Sequence, residues 1–379
     1  MKKVFVILFI ILNVFFLSSC RKTDFGKETI MLEDVFSISP YIVLHGNSKT
    51  ISRIKNNVKT ELDKILKELD DKYDTNNENS LISKINKEAS SDYVEIDEET
   101  YYILSTAIKV SEKCGKYNKY DISIYPLLKT WDFVNKYYDG INMYDPPSDS
   151  DIKKALELVD YEKIELSEDK IKFEKEGMMI DLGSIVKGYA CDKIAQHMDD
   201  KYPKMSYVLN VGGNVLTKGN TVRNGAYDDF HVAIQTPFEE NIDNQDAHYI
   251  GYVKSSKGKL LTVVTSGIYE RYIMDKKGKM YHHILDSTTG YPLDNNIESI
   301  SIVIEDKYES ILADAYSTAL FAYDRATIVS KKSKSFHVGV ILIDKDKNIY
   351  VSDDIKDRFV LNEEIKEYYT YQEDMFSRK

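Results

Sequence analysis

The sequence contains little cysteine, proline or glycine: 3, 7 and 17 residues of 379. This composition excludes a disulfide scaffold, a collagen-like repeat and a proline-rich disordered chain. Basic residues are not in excess either, because 51 Lys and Arg stand against 62 Asp and Glu, and the formal charge is −11. A surface for phosphate backbones has no support in such a chain, and we expect no nucleic acid partner.

The chain nevertheless has enough apolar material for a sizeable core. Hydrophobic residues make up 42% and charged residues 30%, which is typical of a globular protein. At roughly 150 residues per domain the length suggests about two domains, but one large domain is also compatible. Since we find no internal repeat and no linker, we expect a single large α+β domain over residues 31–379.

The one long apolar run lies at the N-terminus. Two lysines precede the run from Val4 to Leu17, and Ser-Ser-Cys follows it, which predicts a signal peptide over residues 1–19. As a helix the run would span about 21 Å, short of the roughly 30 Å of a bilayer core, so a permanent membrane anchor is the weaker alternative. Leu-Ser-Ser-Cys resembles the bacterial lipobox. We therefore expect a lipidated Cys20, a tether over residues 20–30, and a domain lipid-anchored at the extracytoplasmic face of the cell membrane.

Only Cys114 and Cys191 remain after that segment. They lie 77 positions apart and neither belongs to a Cys-x-x-Cys pair, so a metal-ligand framework is not indicated. We expect two unpaired thiols, at least one of them buried, although pairing outside the cell stays open.

Hydrophobic periodicity predicts a mixture of long helices and meandering strands. Apolar residues at spacings of three and four from Ile51 to Leu69 predict an amphipathic helix. Further helices are expected at 98–113, 151–158, 186–198 and 310–322. Strands are expected at 163–166, 170–174, 178–180, 207–211, 231–235, 260–264, 299–304 and 338–343. This order indicates mixed and antiparallel sheets with packed helices, rather than a doubly wound sheet.

The strongest candidate motif runs from Asp181 to Asp192 and reads Asp-Leu-Gly-Ser-Ile-Val-Lys-Gly-Tyr-Ala-Cys-Asp. A strand end, a glycine turn and a helix N-terminus form an anion site, because unbonded N–H groups and the helix dipole point outward together. Lys187 adds a positive charge in the first helical turn. An ordinary turn with a solvated lysine is the alternative, and neither common nucleotide-binding glycine motif is present.

Three other segments carry weaker signals. Asn-Val-Gly-Gly-Asn at 210–214 and Thr-Ser-Gly-Ile-Tyr-Glu-Arg at 265–271 indicate either plain turns or a close backbone approach. In the third segment, His282 and His283 are adjacent, so their side chains diverge on a strand and do not form a zinc site. His283 is a candidate acid/base, with a structural histidine as the alternative.

Asp314 and Thr318 lie four positions apart on a predicted helix, and therefore share one face. A carboxylate and a hydroxyl are oxygen ligands of the kind that Mg²⁺ takes, with water and substrate phosphate completing its shell. An acidic residue on a solvated face is the alternative.

Taken in this order, the motifs resemble the ApbE family, the flavin transferases that move FMN from FAD onto proteins. The resemblance covers Asp34 to Ile343 and includes Asp-Leu-Gly-x-Ile-x-Lys-Gly-Tyr, Val-Gly-Gly-Asn and Asp-Ala-x-x-Thr-Ala-Leu. It implies Mg²⁺ on the backbone carbonyl of Ser184 and the side chains of Asp314 and Thr318, with His283 near the reacting phosphate. The residues that it implies for FAD binding are Tyr73, Tyr120, Asp121, Ile122, Asp181, Lys187 and Ile284.

The resemblance also implies the reaction. A magnesium-dependent FAD:protein FMN transferase would join FMN to a Ser or Thr hydroxyl of an exported electron-transfer protein and release AMP. If water attacked instead, the same site would be an FAD pyrophosphatase giving FMN and AMP. A non-catalytic flavin-binding lipoprotein is the third possibility.

Overall fold

A nine-stranded sheet organises the chain, with helices against one face and a small second sheet against the other. The structure, a computed structural model, describes residues 25–115, 120–223, 226–256, 258–329 and 333–373. The predicted signal peptide and Cys20 lie outside these residues. Within the described ranges, no helix is both long and apolar enough to cross a membrane.

The strands occur along the whole described chain. Their bounds are Phe25–Met31 (β1), Tyr41–Asn47 (β2), Val94–Glu95 (β3), Ile164–Ser167 (β4), Lys170–Phe173 (β5), Ser206–Val211 (β6), Asn214–Gly219 (β7), Thr221–Arg223 (β8), Ala226–Asp228 (β9), His231–Gln235 (β10), Tyr249–Lys254 (β11), Gly258–Gly267 (β12), Tyr272–Met274 (β13), Met280–His282 (β14), Ile297–Glu305 (β15), Gly339–Asp344 (β16), Asn348–Val351 (β17), Phe359–Leu361 (β18) and Thr370–Tyr371 (β19).

The helices are concentrated in two stretches of the chain. Their bounds are Ser48–Tyr73 (α1), Leu81–Glu88 (α2), Glu98–Cys114 (α3), Tyr125–Trp131 (α4), Asp149–Leu156 (α5), Val186–Lys201 (α6), Ser310–Phe321 (α7), Arg325–Thr327 (α8) and Ser333–Phe336 (α9). The five predicted helices are thereby confirmed, with ends shifted by a few residues. α1 begins where the Asn47 side chain accepts a hydrogen bond from the Thr50 amide at 3.1 Å.

The large sheet has the order β1-β2-β6-β7-β12-β15-β16-β17-β19. Its neighbouring strands are antiparallel except for β17 and β19, which are parallel. Ile302 of β15 packs with the helices, whereas Val303 packs with the small sheet β10-β11-β18. β15 is apolar on both faces because both are covered, and the predicted α+β class is confirmed.

The segment Met178–Ile180 does not form the predicted strand. Met179 makes a single parallel bridge to Ile124. The Asn86 side chain takes the place of a partner strand: its Oδ1 accepts from the Ile180 amide at 2.7 Å, and its Nδ2 donates to the Ile180 carbonyl at 2.9 Å. Periodicity could not show this, because a side chain 94 residues away satisfies the backbone.

The described end of the predicted tether also differs from expectation. Residues 25–30 lie in β1, which pairs with β2 from Phe25 to Met31, so the folded domain begins before residue 31. Ile30 is buried, which explains why this mostly polar segment stays on the sheet edge. Cys114 and Cys191 form no disulfide and both are buried, as the sequence predicted for at least one of them.

Candidate active site

The turn before α6 is held by the Asp181 side chain. Its Oδ1 accepts from the Gly183 amide at 2.8 Å, and the Asp181 amide donates to the Ile122 carbonyl at 2.8 Å. Burial raises the pKa of Asp181, while the Gly183 amide and the charge of Lys187 lower it. The turn is therefore stabilised by a carboxylate, and it brings together Asp181 and Ile122, two of the residues that the resemblance implies for FAD binding.

Lys187 stands in the first turn of α6, and its Nζ donates to the Gly183 carbonyl. Its charge lowers the pKa of Asp181, of Asp314 and of His283. The ammonium group of Lys187 therefore interacts electrostatically with all three side chains.

Asp314 lies on α7 and is only 4% exposed. Its Oδ2 accepts from the Gly188 amide of α6 at 2.8 Å. Burial raises the pKa of Asp314, and the charge of Lys187 and the Gly188 hydrogen bond oppose that effect. Thr318, one turn further along α7, is partly exposed. The alternative of a solvated acidic face is therefore wrong for Asp314.

The start of α6 differs from the anion site that the sequence predicted, because a carboxylate of the protein itself is bound there. The Gly188 amide is among the first N–H groups of α6, and it is already bonded to the Asp314 carboxylate. The carboxylate takes the favourable position at the positive end of the helix dipole. Attraction for an anionic ligand at this turn must therefore come chiefly from Lys187.

The loop at 120–123 packs against the same turn. The hydroxyls of Tyr120 and Ser184 lie 3.2 Å apart. The Asp121 carboxylate accepts from the Ser123 amide, from the Ser123 hydroxyl and from the Tyr161 amide at 2.8, 2.6 and 3.0 Å. Asp121 therefore holds the loop in shape, and burial raises its pKa. Its contact with FAD stays a prediction.

Tyr73 has a core environment. It ends α1, is 3% exposed, and its hydroxyl lies 3.0 Å from the Thr100 hydroxyl. Burial raises its pKa. Nothing in this packing offers the ring to a ligand, so the predicted flavin contact has no geometric support.

His283 follows β14, and its ring is fixed by one hydrogen bond. Nδ1 lies 2.9 Å from the carbonyl oxygen of Arg271, which only accepts, so Nδ1 carries the proton and Nε2 carries the lone pair. Burial is the largest of the effects that together lower the pKa of His283 to about 3; the charges of Arg271 and Lys187 act in the same direction, and the hydrogen bond to Arg271 opposes them. Ile284 is buried, and its carbonyl accepts from the Leu293 amide at 2.9 Å.

Asn214 was not predicted as a site residue, although the Val-Gly-Gly-Asn motif contains it. It is 1% exposed, its Nδ2 donates to the Val211 carbonyl at 3.3 Å, and its side chain lowers the pKa of the Asp314 carboxyl. Its buried Oδ1 has no hydrogen-bond partner among the described residues. The signal in the sequence was a polar residue directly after a glycine pair at a strand start.

Fold and site together define a class: an α+β protein whose polar site lies where the starts of two helices meet the ends of central strands. The sequence model of the ApbE family matches residues 38–337. The chain belongs to the ApbE family, as its motifs predicted.

Individual relatives agree with this assignment. The FAD:protein FMN transferase of Klebsiella pneumoniae (strain 342) is 27% identical over 297 residues, covering 78% of this chain and 84% of that protein. The FAD:protein FMN transferase of Treponema pallidum (strain Nichols) is 29% identical over 294 residues, or 75% and 76%. The crystal structure of the ApbE protein from Thermotoga maritima superposes with a TM-score of 0.71 at 27% identity, covering 88% of this chain and 99% of that one.

Proposed function

We propose that this chain is an FAD:protein FMN transferase, which moves FMN from FAD to a Ser or Thr hydroxyl of an exported electron-transfer protein and releases AMP. Relatives with that transferase name align with about three quarters of the chain. The observation that carries the proposal is the buried Asp314 carboxylate, which accepts from the Gly188 amide directly after Lys187 at the start of α6. The charge of Lys187 also lowers the pKa of His283.

A magnesium ion is part of this proposal, and the residues present fit one. Within the described ranges, no group of three or more His, Cys, Asp and Glu side chains could hold a metal ion. Asp314 instead offers one buried carboxylate, with the Thr318 hydroxyl and the Ser184 carbonyl as further oxygen donors, and Mg²⁺ takes few protein carboxylates. The buried Oδ1 of Asn214, which has no hydrogen-bond partner among the described residues, supports this proposal. When bound, the ion would offset charge on the diphosphate and on the departing phosphate.

The protein groups have separate tasks in the proposed transfer. The acceptor hydroxyl oxygen forms a bond to the phosphorus on the FMN side, the bond from that phosphorus to the AMP oxygen breaks, and AMP leaves with the electron pair. The hydroxyl proton passes to Nε2 of His283, which is unprotonated because Nδ1 donates to Arg271. Lys187 binds the diphosphate before and during the reaction.

The FAD pocket is proposed along the turn before α6. Support comes from the hydrogen bond between Asp181 and Ile122 and from the Tyr120–Ser184 contact, which hold the loop at 120–123 against that turn. Ile284 is included because it adjoins His283. We propose lipid attachment at Cys20 and an extracytoplasmic location on the sequence pattern alone.

The transfer reaction itself provides the test. The full chain, purified in detergent, is incubated with FAD, Mg²⁺ and an exported candidate acceptor from the same organism. We expect a fluorescent acceptor band that survives denaturation, with AMP released in equal amount. His283→Ala should slow transfer by roughly 10²–10⁴-fold while FAD binding persists, and Lys187→Ala should weaken FAD binding as well.

Hydrolysis would give a different result. If AMP and unattached FMN accumulate at one rate with and without the acceptor, and no acceptor is labelled, the chain is an FAD pyrophosphatase. If FAD binds and stays intact in both conditions, the chain is a flavin-binding lipoprotein.

A further inference from the structure

α7 begins without a cap of its own. The preceding residue, Glu309, makes no side-chain hydrogen bond to the first turn. Instead, Asp192 of α6 supplies the cap: Oδ1 accepts from the Ser310 amide at 2.8 Å and Oδ2 from the Ile311 amide at 2.9 Å. Asp192 is 4% exposed, so a buried carboxylate from another helix satisfies both N–H groups.

The same two helices are joined in the reverse sense by Asp314. Its carboxylate on α7 accepts from the Gly188 amide near the start of α6 at 2.8 Å. Each helix therefore holds the other's N-terminus through one aspartate. Gly188 of α6 contacts Asp314 of α7. One turn further along α6, Asp192 contacts Ser310, which lies one turn earlier on α7. The two helices therefore run antiparallel at this contact.

Gly188 shows how closely the helices approach. A Cβ atom there would lie 2.2 Å from the Ser310 carbonyl oxygen and 2.7 Å from the Asp314 Cβ. Two carboxylates with three amide hydrogen bonds, together with this backbone contact, permit one register of α7 on α6. A shift of one residue would move Asp314 by about 1.5 Å along the helix axis and rotate it by about 100°.

We infer that Asp192 is a positioning residue for the reaction: by accepting hydrogen bonds from the first turn of α7, it fixes the place of Asp314 relative to Lys187. The inference rests on the proposed function, since Asp314 and Lys187 are the groups assigned there to the cation and the diphosphate. The bonds of Asp192 recorded among the described residues are those to the Ser310 and Ile311 amides of α7. Displacement of about 1 Å in a reacting constellation reduces rates by about 10²-fold, which sets the expected effect.

The experiment compares Asp192→Ala with wild type in the full chain. Mn²⁺, as a paramagnetic substitute for Mg²⁺, is titrated with and without FAD by electron paramagnetic resonance, and FAD affinity is measured without metal. We expect Mn²⁺ affinity to fall about 10-fold and kcat to fall about 10²-fold, with metal-independent FAD affinity within about twofold. Asp199→Asn is the matched control, because Asp199 lies on the same helix but pairs with Lys218.

A second variant separates positioning from capping. Asp192→Ala combined with Glu309→Ser gives α7 a hydroxyl at its own N-cap position, which stabilises the helix start without tying it to α6. We expect thermal stability to recover and Mn²⁺ affinity to stay low. This variant also keeps the test valid if Asp192→Ala alone does not fold.

Two outcomes would overturn the inference. Either Asp192→Ala binds Mn²⁺ and turns over FAD like wild type, or the added N-cap serine restores Mn²⁺ affinity together with stability, which would leave Asp192 a cap only. Failure of the proposed function has a different signature. The wild type would then label no acceptor, while Mn²⁺ binding would still depend on Asp192.

Discussion

Replacing Gly188 by alanine sets two effects of known size against each other. Alanine in a helix is favoured over glycine by about 0.5–1 kcal/mol. The new methyl group, however, would lie 2.2 Å from the Ser310 carbonyl oxygen, whereas an ordinary contact is about 3.5 Å. That oxygen belongs to the backbone, so α7 as a whole must move by more than about 1 Å, and such overpacking costs about 1–3 kcal/mol.

We expect the clash to exceed the propensity gain, so the free energy of unfolding should fall by about 1–2 kcal/mol. Because the displaced helix carries Asp314, FAD turnover should fall by about 10²-fold. Urea unfolding and AMP release at saturating Mg²⁺ measure the two effects. Gln196→Ala, at an exposed position of the same helix, is the control. A Gly188→Ala protein as stable and active as wild type would refute the close α6–α7 contact.

Three further predictions concern individual side chains. Asp314→Ala should abolish FAD turnover at limiting Mg²⁺, and Thr318→Ala should be milder because a hydroxyl is a neutral ligand; unchanged turnover by Asp314→Ala in a magnesium titration would remove Asp314 from the site. The pKa of His283 is lowered to about 3 in the folded protein, so its imidazole stays neutral there. The associated stability is present above the unfolded pKa of about 6.5 and is lost as pH falls from there to about 3. A pH profile of kcat/KM should therefore show no change caused by His283 between about pH 5 and 8; a change in that range that disappears in His283→Ala would contradict this. Cys20→Ala should release or misprocess the protein, because a lipid chain would be its main attachment; mass spectrometry finding unmodified Cys20 in the membrane fraction would contradict it.

Sequence patterns predicted the elements whose own residues show a regular spacing of apolar side chains. α1 follows from its apolar stripe, and the β4–β5 hairpin follows from strict alternation. β1 was missed because only one of its seven residues, Ile30, is buried. The terminal strands β18 and β19 have three and two residues, and they exist only through pairing with β11 and β17.

The site was predictable in its residue types but less so in its contacts. The motif correctly placed Lys187 in the first turn of α6, and helical spacing placed Asp314 on the buried helix α7. No local pattern indicates that Asp314 occupies the start of α6, because the bond to Gly188 spans 126 residues. Tyr73 shows the converse limit: the resemblance implied a flavin contact, whereas the side chain is buried in this structure with its hydroxyl 3.0 Å from that of Thr100, so the contact stays a prediction.

The buried aspartates explain how the site and the fold depend on each other. Burial raises the pKa of Asp192 to about 6 and also raises that of Asp314, so each charge needs compensation in place. Each receives it from the amides at the start of the opposite helix, which a loosened pair could not supply. Separation of α6 from α7 would therefore expose two carboxylates and two uncapped helix ends together. Such coupling makes partial opening costly, and it favours a site in which Asp314 keeps its place when the ligand binds.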